Sequence, residues 1–266
     1  MLIPDSELTK WPYLAVNGEK EGGIWFYDRA MPMPSRTTAC DNQPGQNGVC
    51  NCPESKYPDH NVQTYWSSGQ FPQGGENPMR GGMAFWEVDR PSPGKSYIYT
   101  APYGSPLTQY PLCDNSNATG PIDTTTCSNV QITSTSVTFD TGVTPAISAA
   151  STTASDAIVW AIWATGDNQN NSHNGGIGLP IKPGVLYAFD AANVSQPPLY
   201  SSSGCTNGRD RIAPGVKFSV PTVANGYVYV GAEQCAWNGA DCSGSDGKGN
   251  DGAGTFYIFT GGMNSC

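Results

Sequence analysis

The sequence predicts an all-β fold made of repeated antiparallel units, and three observations carry that expectation. Glycine (32) and proline (22) are abundant in 266 residues, while charged residues are only 13 %, a composition that suits many short strands joined by turns. No segment sustains apolar spacings of three and four, so long amphipathic helices are not expected. The stretch "KFSVPTVANGYVYVGAE" (217–233) reads as a strand, a turn at Asn225-Gly226 and a second strand, and its pattern recurs along the chain.

Four copies follow in chain order. The first is "YLAVNGEKEGGIWFYDR" (13–29), preceded only by the stub "LIP" (2–4) and followed by "VQTYWSS" (62–68). The second runs through "GGMAFW" (81–86), "SYIYTAPYGSPLTQYPL" (96–112) and "VQITSTSVTF" (130–139). The third comprises "GVTPAIS" (142–148), "AIVWAIWATG" (157–166), "PGVLYAFDAANV" (183–194) and "PLYSS" (198–202). The fourth comprises "FSVPTVA" (218–224), "GYVYVGAE" (226–233) and "GTFYIFTGG" (254–262), and reaches Cys266 without a fourth strand.

Each unit therefore reads as strands A, B, C and D, with A innermost. Four antiparallel strands repeated every several tens of residues describe the blades of a β-propeller; a β-sandwich with similar hairpins is the alternative. The expected blades span roughly 1–68, 81–139, 142–202 and 217–262 of one domain, 1–266. A propeller ring closes by pairing strands from its two chain ends, because open edges invite association. With both end units incomplete, the chain is expected to be the C-terminal part of a larger ring, its earlier blades and signal peptide outside this sequence. A self-contained four-bladed ring is the rival expectation.

A formal net charge of −9 argues against nucleic acid or an anionic membrane surface as partner, since both select a basic face. No apolar run is long enough to span a bilayer. Nine cysteines point to an oxidising compartment, hence a secreted or periplasmic protein. Only two histidines, His60 and His173, accompany them, and no spacing matches a zinc site, so disulfides are expected. Cys113 and Cys127 bracket the C–D excursion of the second unit and are expected to staple it. Cys40, Cys50 and Cys52 lie on another such excursion. Cys205, Cys235 and Cys242 fall on connections at the opposite end, where one pair among them ties the loops together. The odd count leaves one thiol free or partnered outside the chain.

In a propeller the D–A and B–C connections share one end, around the central channel, and functional groups concentrate where such loops converge. Arg80, Asp140, Asp210, Arg211 and Lys217 precede inner strands and are candidate ligand-binding residues at the channel mouth. The cations among them suit a carboxylate, held by charge-assisted hydrogen bonds. The competing reading has them cap strands and pair with each other, Asp210 with Arg209 or Arg211. Asp241, Asp246 and Asp251 lie in an Asp/Gly/Asn run that suggests calcium, although the regular alternation and distal Glu of an EF-hand loop are missing. His173 has no orienting partner nearby, and no G-x-S-x-G elbow is present.

Four segments carry a family resemblance: "LIPDSELTKWPYLAVNGEKEGGIWFYDRA" (2–30), "GGMAFWEVDRPSPGKSYIYTAPYGSPLTQYPL" (81–112), "TPAISAASTTASDAIVWA" (144–161) and "VKFSVPTVANGYVYV" (216–230). In this order they resemble a group of secreted bacterial proteins with pyrroloquinoline-quinone (PQQ)-like propeller repeats. The resemblance implies a propeller fold, secretion and kinship with PQQ dehydrogenases. Those enzymes hold the quinone between a tryptophan and an adjacent-cysteine disulfide, with Ca²⁺ held by Glu and Asn beside a catalytic Asp. This chain has no Cys-Cys pair and no matching Glu/Asn/Asp set, and Trp25, Trp86, Trp160 and Trp163 fall within strands, where large aromatics pack between blades. The leading expectation is thus a secreted binding or scaffold module without a recognisable catalytic set, partnered by a small molecule or by the remaining blades. A fragment of a PQQ- and calcium-dependent alcohol or sugar dehydrogenase is the second reading. A carbohydrate-binding surface, resting on loops such as Trp237-Asn238, is the third.

Overall fold

The computed structural model describes residues 1–4, 8–19, 22–30, 61–66, 78–88, 95–128, 131–151, 156–164, 183–205, 208–213, 215, 219–233, 237–238, 241–242 and 254–260. Their regular structure is β throughout, with no helix among the described residues. Sheet I contains β1 (Leu14–Gly18), β2 (Gly23–Asp28) and β3 (Asn61–Trp66). Sheet II contains β4 (Ala84–Val88), β5 (Lys95–Thr100), β6 (Ser105–Pro111) and β7 (Thr133–Phe139). Sheet III contains β8 (Ala146–Ser148), β9 (Ile158–Trp163), β10 (Val185–Asp190) and β11 (Tyr200–Ser201). Next come β12 (Thr222–Ala224) and β13 (Tyr227–Glu233), then a two-stranded ribbon of β14 (Trp237–Asn238) and β15 (Asp241–Cys242), and β16 (Gly254–Phe259). Sheet IV is formed by β12, β13 and β16.

Every ladder is antiparallel and joins strands in chain order, as the repeated A–B–C–D pattern requires. The inner strands are shorter than their apolar runs suggest: β8 and β12 have three residues each. In sheet I the inner strand is reduced to one bridge, Leu2 to Ala15. The Asn225-Gly226 turn is present: both residues have positive φ (52° and 78°) and join Ala224 to Tyr227 across a two-residue loop. That backbone follows the twist of the flanking strands, and Asn and Gly tolerate it best.

The core lies between sheets, and the two-residue period of the strands divides it. On β9, Val159 and Ala161 pack toward sheet II with Tyr97, Tyr99, Leu107 and Phe139. The alternate residues Trp160 and Ile162 pack toward sheet IV with Val228, Val230 and Phe259. On β5, Ile98 turns the other way and joins Leu14, Val16, Ile24 and Phe26 of sheet I. Sheets II and III are therefore apolar on both faces, which explains why their B strands read as nearly unbroken hydrophobic runs. Each fully buried Leu, Ile or Phe contributes about 1.5–3 kcal/mol. The inner strands β4, β8 and β12 lie side by side across three consecutive sheets. No buried cluster among the described residues joins sheets I and IV, and Phe256 and Ile258 on the outer face of sheet IV stay 66 % and 56 % exposed. Among the described residues no helix is long and apolar enough to cross a membrane.

Candidate functional site

The connections between sheets meet the B–C turns at one end of the molecule. The Met79 amide, just before β4, donates to the Glu19 carbonyl between β1 and β2 (3.1 Å). Tyr103, between β5 and β6, donates to the Pro78 carbonyl (2.9 Å), and Val143, before β8, donates to Ala101 (3.0 Å). Gly184, before β10, donates to Ala213 ahead of β12 (3.2 Å). Backbone pairing thus brings together the two classes of loop that the repeat predicts to share an end.

Gly81 and Gly82 set how closely those loops approach. A Cβ on Gly81 would lie 2.0 Å from the Val143 carbonyl oxygen, so only glycine fits there, and the Gly82 amide donates to Thr144 Oγ1 (2.8 Å). Beside them the Arg80 guanidinium lies over the Tyr103 ring, 4.4 Å from its centroid, a cation–π contact that orients it. Arg80, Thr141, Thr144 and Ser219 line a small pocket with Gly81, Gly142, Ile162 and Ala164. These residues precede the inner strands of sheets II, III and IV or end β9, so three repeats contribute to it. The space they enclose is about 10 Å³, room for one water-sized group, so the guanidinium and hydroxyls offer donors to a single small group at its mouth.

The other sequence candidates do not all join this pocket. Asp140 is exposed beside Thr141 and is not among the lining residues. Asp210 accepts hydrogen bonds from Arg209 Nε (2.6 Å) and Nη2 (2.7 Å) and from the Tyr200 hydroxyl (2.8 Å). Arg209 holds the Asp210 carboxyl below the usual range, while burial, reinforced by Asp210, pushes the Tyr200 phenol up. Cys205 is disulfide-bonded, and its sulfur sits 3.2 Å from Asp210 Oδ2 as a contact without a proton. Asp210 therefore anchors the loop after β11, the strand-capping role weighed against ligand binding. Arg211 packs its guanidinium near Gly208.

The Cys113–Cys127 disulfide is present, with Cα atoms 5.7 Å apart. Lys217, Asp246, Asp251, Cys40, Cys50, Cys52, Cys235, His60 and His173 lie outside the described residues, and for Asp241 and Cys242 only the strand backbone is described.

Sequence reasoning missed a second concavity. A cleft of about 530 Å³ opens at the other end, between β8–β9 of sheet III and β12–β13 of sheet IV. Its walls include Ile147, Ile158, Trp160, Val223 and Val228, with Asp156 and Asn225 as polar members. Trp160 Nε1 donates to Ser148 Oγ (2.8 Å), which fixes the indole in that wall. The Ser/Thr/Ala run before Asp156 was the only signal for it, and such a run reads equally well as a plain loop.

Comparison of the chain with known protein families, characterised proteins and solved structures found no match. The described residues were also tested for a PQQ and calcium site. Trp160 is buried with its indole committed to Ser148, and Trp86 and Trp163 pack against the core between sheets II and III. Trp160 also borders the cleft between sheets III and IV, Trp25 stacks on Tyr27, and no group of three His, Cys, Asp or Glu gathers among the described residues. The described residues thus gather no donor set like the one that holds Ca²⁺ beside the quinone in PQQ dehydrogenases.

Proposed function

We propose that the chain is a β-propeller-type repeat module, kin to PQQ-like repeat proteins, that acts outside the cytoplasm as a binding or scaffold unit. Its ligand carries a carboxylate that docks against the surface where the connections between sheets converge, since the space there, about 10 Å³, admits one small group and not a whole molecule. The observation that supports this reading is the pocket to which three consecutive repeats contribute, with Arg80 held over Tyr103 beside Thr141, Thr144 and Ser219. Apolar positions that recur in the copies supply the clusters between sheets, so the property that distinguishes this protein belongs to groups the copies do not share.

Isothermal titration of the whole chain with citrate and with succinate tests the reading. Wild-type protein should bind at least one of them, and Arg80→Ala should weaken that binding by at least about tenfold, as loss of a charge-assisted hydrogen bond implies. Absence of binding to both, or binding unchanged in Arg80→Ala, would overturn it. Dye-linked oxidation of an alcohol or sugar after addition of PQQ and Ca²⁺ would favour the quinoprotein dehydrogenase instead.

A further inference from the structure

The cleft between sheets III and IV differs in size and in charge from the pocket at the opposite end. It encloses about 530 Å³, within the range of roughly 300–1,000 Å³ that holds a small organic molecule. Short side chains line much of it: Ser148, Ala149 and Ala150 lead off the end of β8, and Ala224 and Gly226 flank the turn of sheet IV. An ideal Cβ on Gly226 would meet nothing within 4 Å, so the space beside that turn is open. The rim itself is fixed, because Asn225 and Gly226 hold positive φ (52° and 78°) in a two-residue loop that their own backbone preferences select.

The lining then indicates what would enter. Ile147, Ile158, Val223 and Val228 make it largely apolar, and Trp160 borders it with its indole fixed on Ser148. Among the described lining residues, Asp156 is the one that carries a charge and Asn225 supplies the side-chain amide. An exposed carboxylate beside apolar walls discriminates by sign. An anion meets repulsion there, whereas a cation on an apolar body removes that body from water and brings its charge to Asp156 beside a wall of low polarity, where the attraction is screened less than in water. The Asn225 amide oxygen is a further acceptor for an N–H donor. The whole chain favours the same sign, with 22 acidic against 13 basic side chains.

We propose that this cleft is a second binding site, which takes a small organic cation: an amine carried on an apolar or aromatic body. The apolar walls hold the body, and Asp156 sets the sign of the charge. The site lies at the other end of the molecule from Arg80 and selects the opposite charge, so it stands whether or not the carboxylate reading holds.

Equilibrium dialysis of the whole chain at low ionic strength against tryptamine and against tryptophol, its neutral alcohol counterpart, tests the assignment. Tryptamine should bind one per chain, and tryptophol at least about threefold more weakly, the modest margin expected of a charge pair at an exposed carboxylate. Asp156→Asn should bring the two affinities together. Ala224→Arg, a second change at an exposed position of the lining, should weaken tryptamine more than tryptophol. Neither probe carries a carboxylate, so the readout does not touch the Arg80 surface. No tryptamine binding up to millimolar concentration, equal affinity for the two probes in the wild type, or a preference for tryptamine that survives Asp156→Asn would each overturn the proposal.

Discussion

At Gly81 the missing methyl group sets the distance between two sheets. The Val143 carbonyl occupies the space a side chain would need, 2.0 Å from an ideal Cβ, and that carbonyl belongs to a backbone tied to Ala101 by the Val143 amide. Gly81→Ala should therefore destabilise the protein by about 1–3 kcal/mol, the usual cost of forced overpacking, measurable as a lower midpoint in urea. Gly82→Ala meets the Thr144 side chain, its methyl 2.9 Å from an ideal Cβ, rather than backbone, and should cost less. The sequence displayed these glycines inside a recurring motif but not their task, because the neighbour that fixes it lies about sixty residues further on. Asn225-Gly226 was legible for the opposite reason: the turn is chosen by its own two residues, and their φ values are 52° and 78°.

Among the elements, the excursion between β6 and β7 shows how a long connection is held. The Cys113–Cys127 disulfide closes it, and Asp123 organises its interior. The Asp123 carboxylate accepts from the amides of Thr119, Thr125 and Thr126 and from the hydroxyls of Thr119 and Thr126, at 2.8–3.0 Å. The amides of Thr119 and Thr126, with the Thr126 hydroxyl, hold that carboxyl far below the ordinary carboxylate range. A depressed carboxyl adds stability in full above its unfolded value, here 3.8, and loses that contribution as pH falls toward the folded value. Asp123→Asn should therefore lower the thermal midpoint near neutral pH and flatten its decline below about pH 4, a comparison that a series of melts would supply. Gln63 of β3 links this excursion to sheet I: it donates to the Ile122 carbonyl (2.9 Å) and accepts from the Ile122 amide (2.8 Å). The staple was readable from cysteine spacing and strand order. The Asp123 hub was not, since its partners are threonines that look like ordinary loop residues.

On the scale of the whole molecule, alternation along each strand foretold faces but not neighbours. The sequence identified the strands of sheets I to IV and placed the connection loops together. It did not reveal that Tyr99 reaches across to the Ala191 carbonyl (2.6 Å) and Gln109 to the same oxygen (2.9 Å), which ties sheet II to the turn after β10. Nor did it reveal the cleft between sheets III and IV, whose walls come from β8–β9 and β12–β13, elements about seventy residues apart in the chain. Of the five channel-mouth candidates, Arg80 lines the pocket there, whereas Asp210 is consumed by Arg209 and Tyr200. Sequence reasoning weighed the Arg209 pairing but did not anticipate the Tyr200 hydroxyl, which lies ten residues earlier on β11.

Among the described residues the buried clusters pass from each sheet to the next, which has a further consequence for cooperativity. Such a stack behaves as a linear array, in which an end member is secured on one side and opens more readily than the middle. Sheet IV is an end member, with β16 at its edge carrying Phe256 and Ile258 into solvent. Amide hydrogen exchange should be fastest in β16, slower in β13 and slowest in β9 and β10. A profile equally protected across all four sheets would mean that the molecule opens only as a whole.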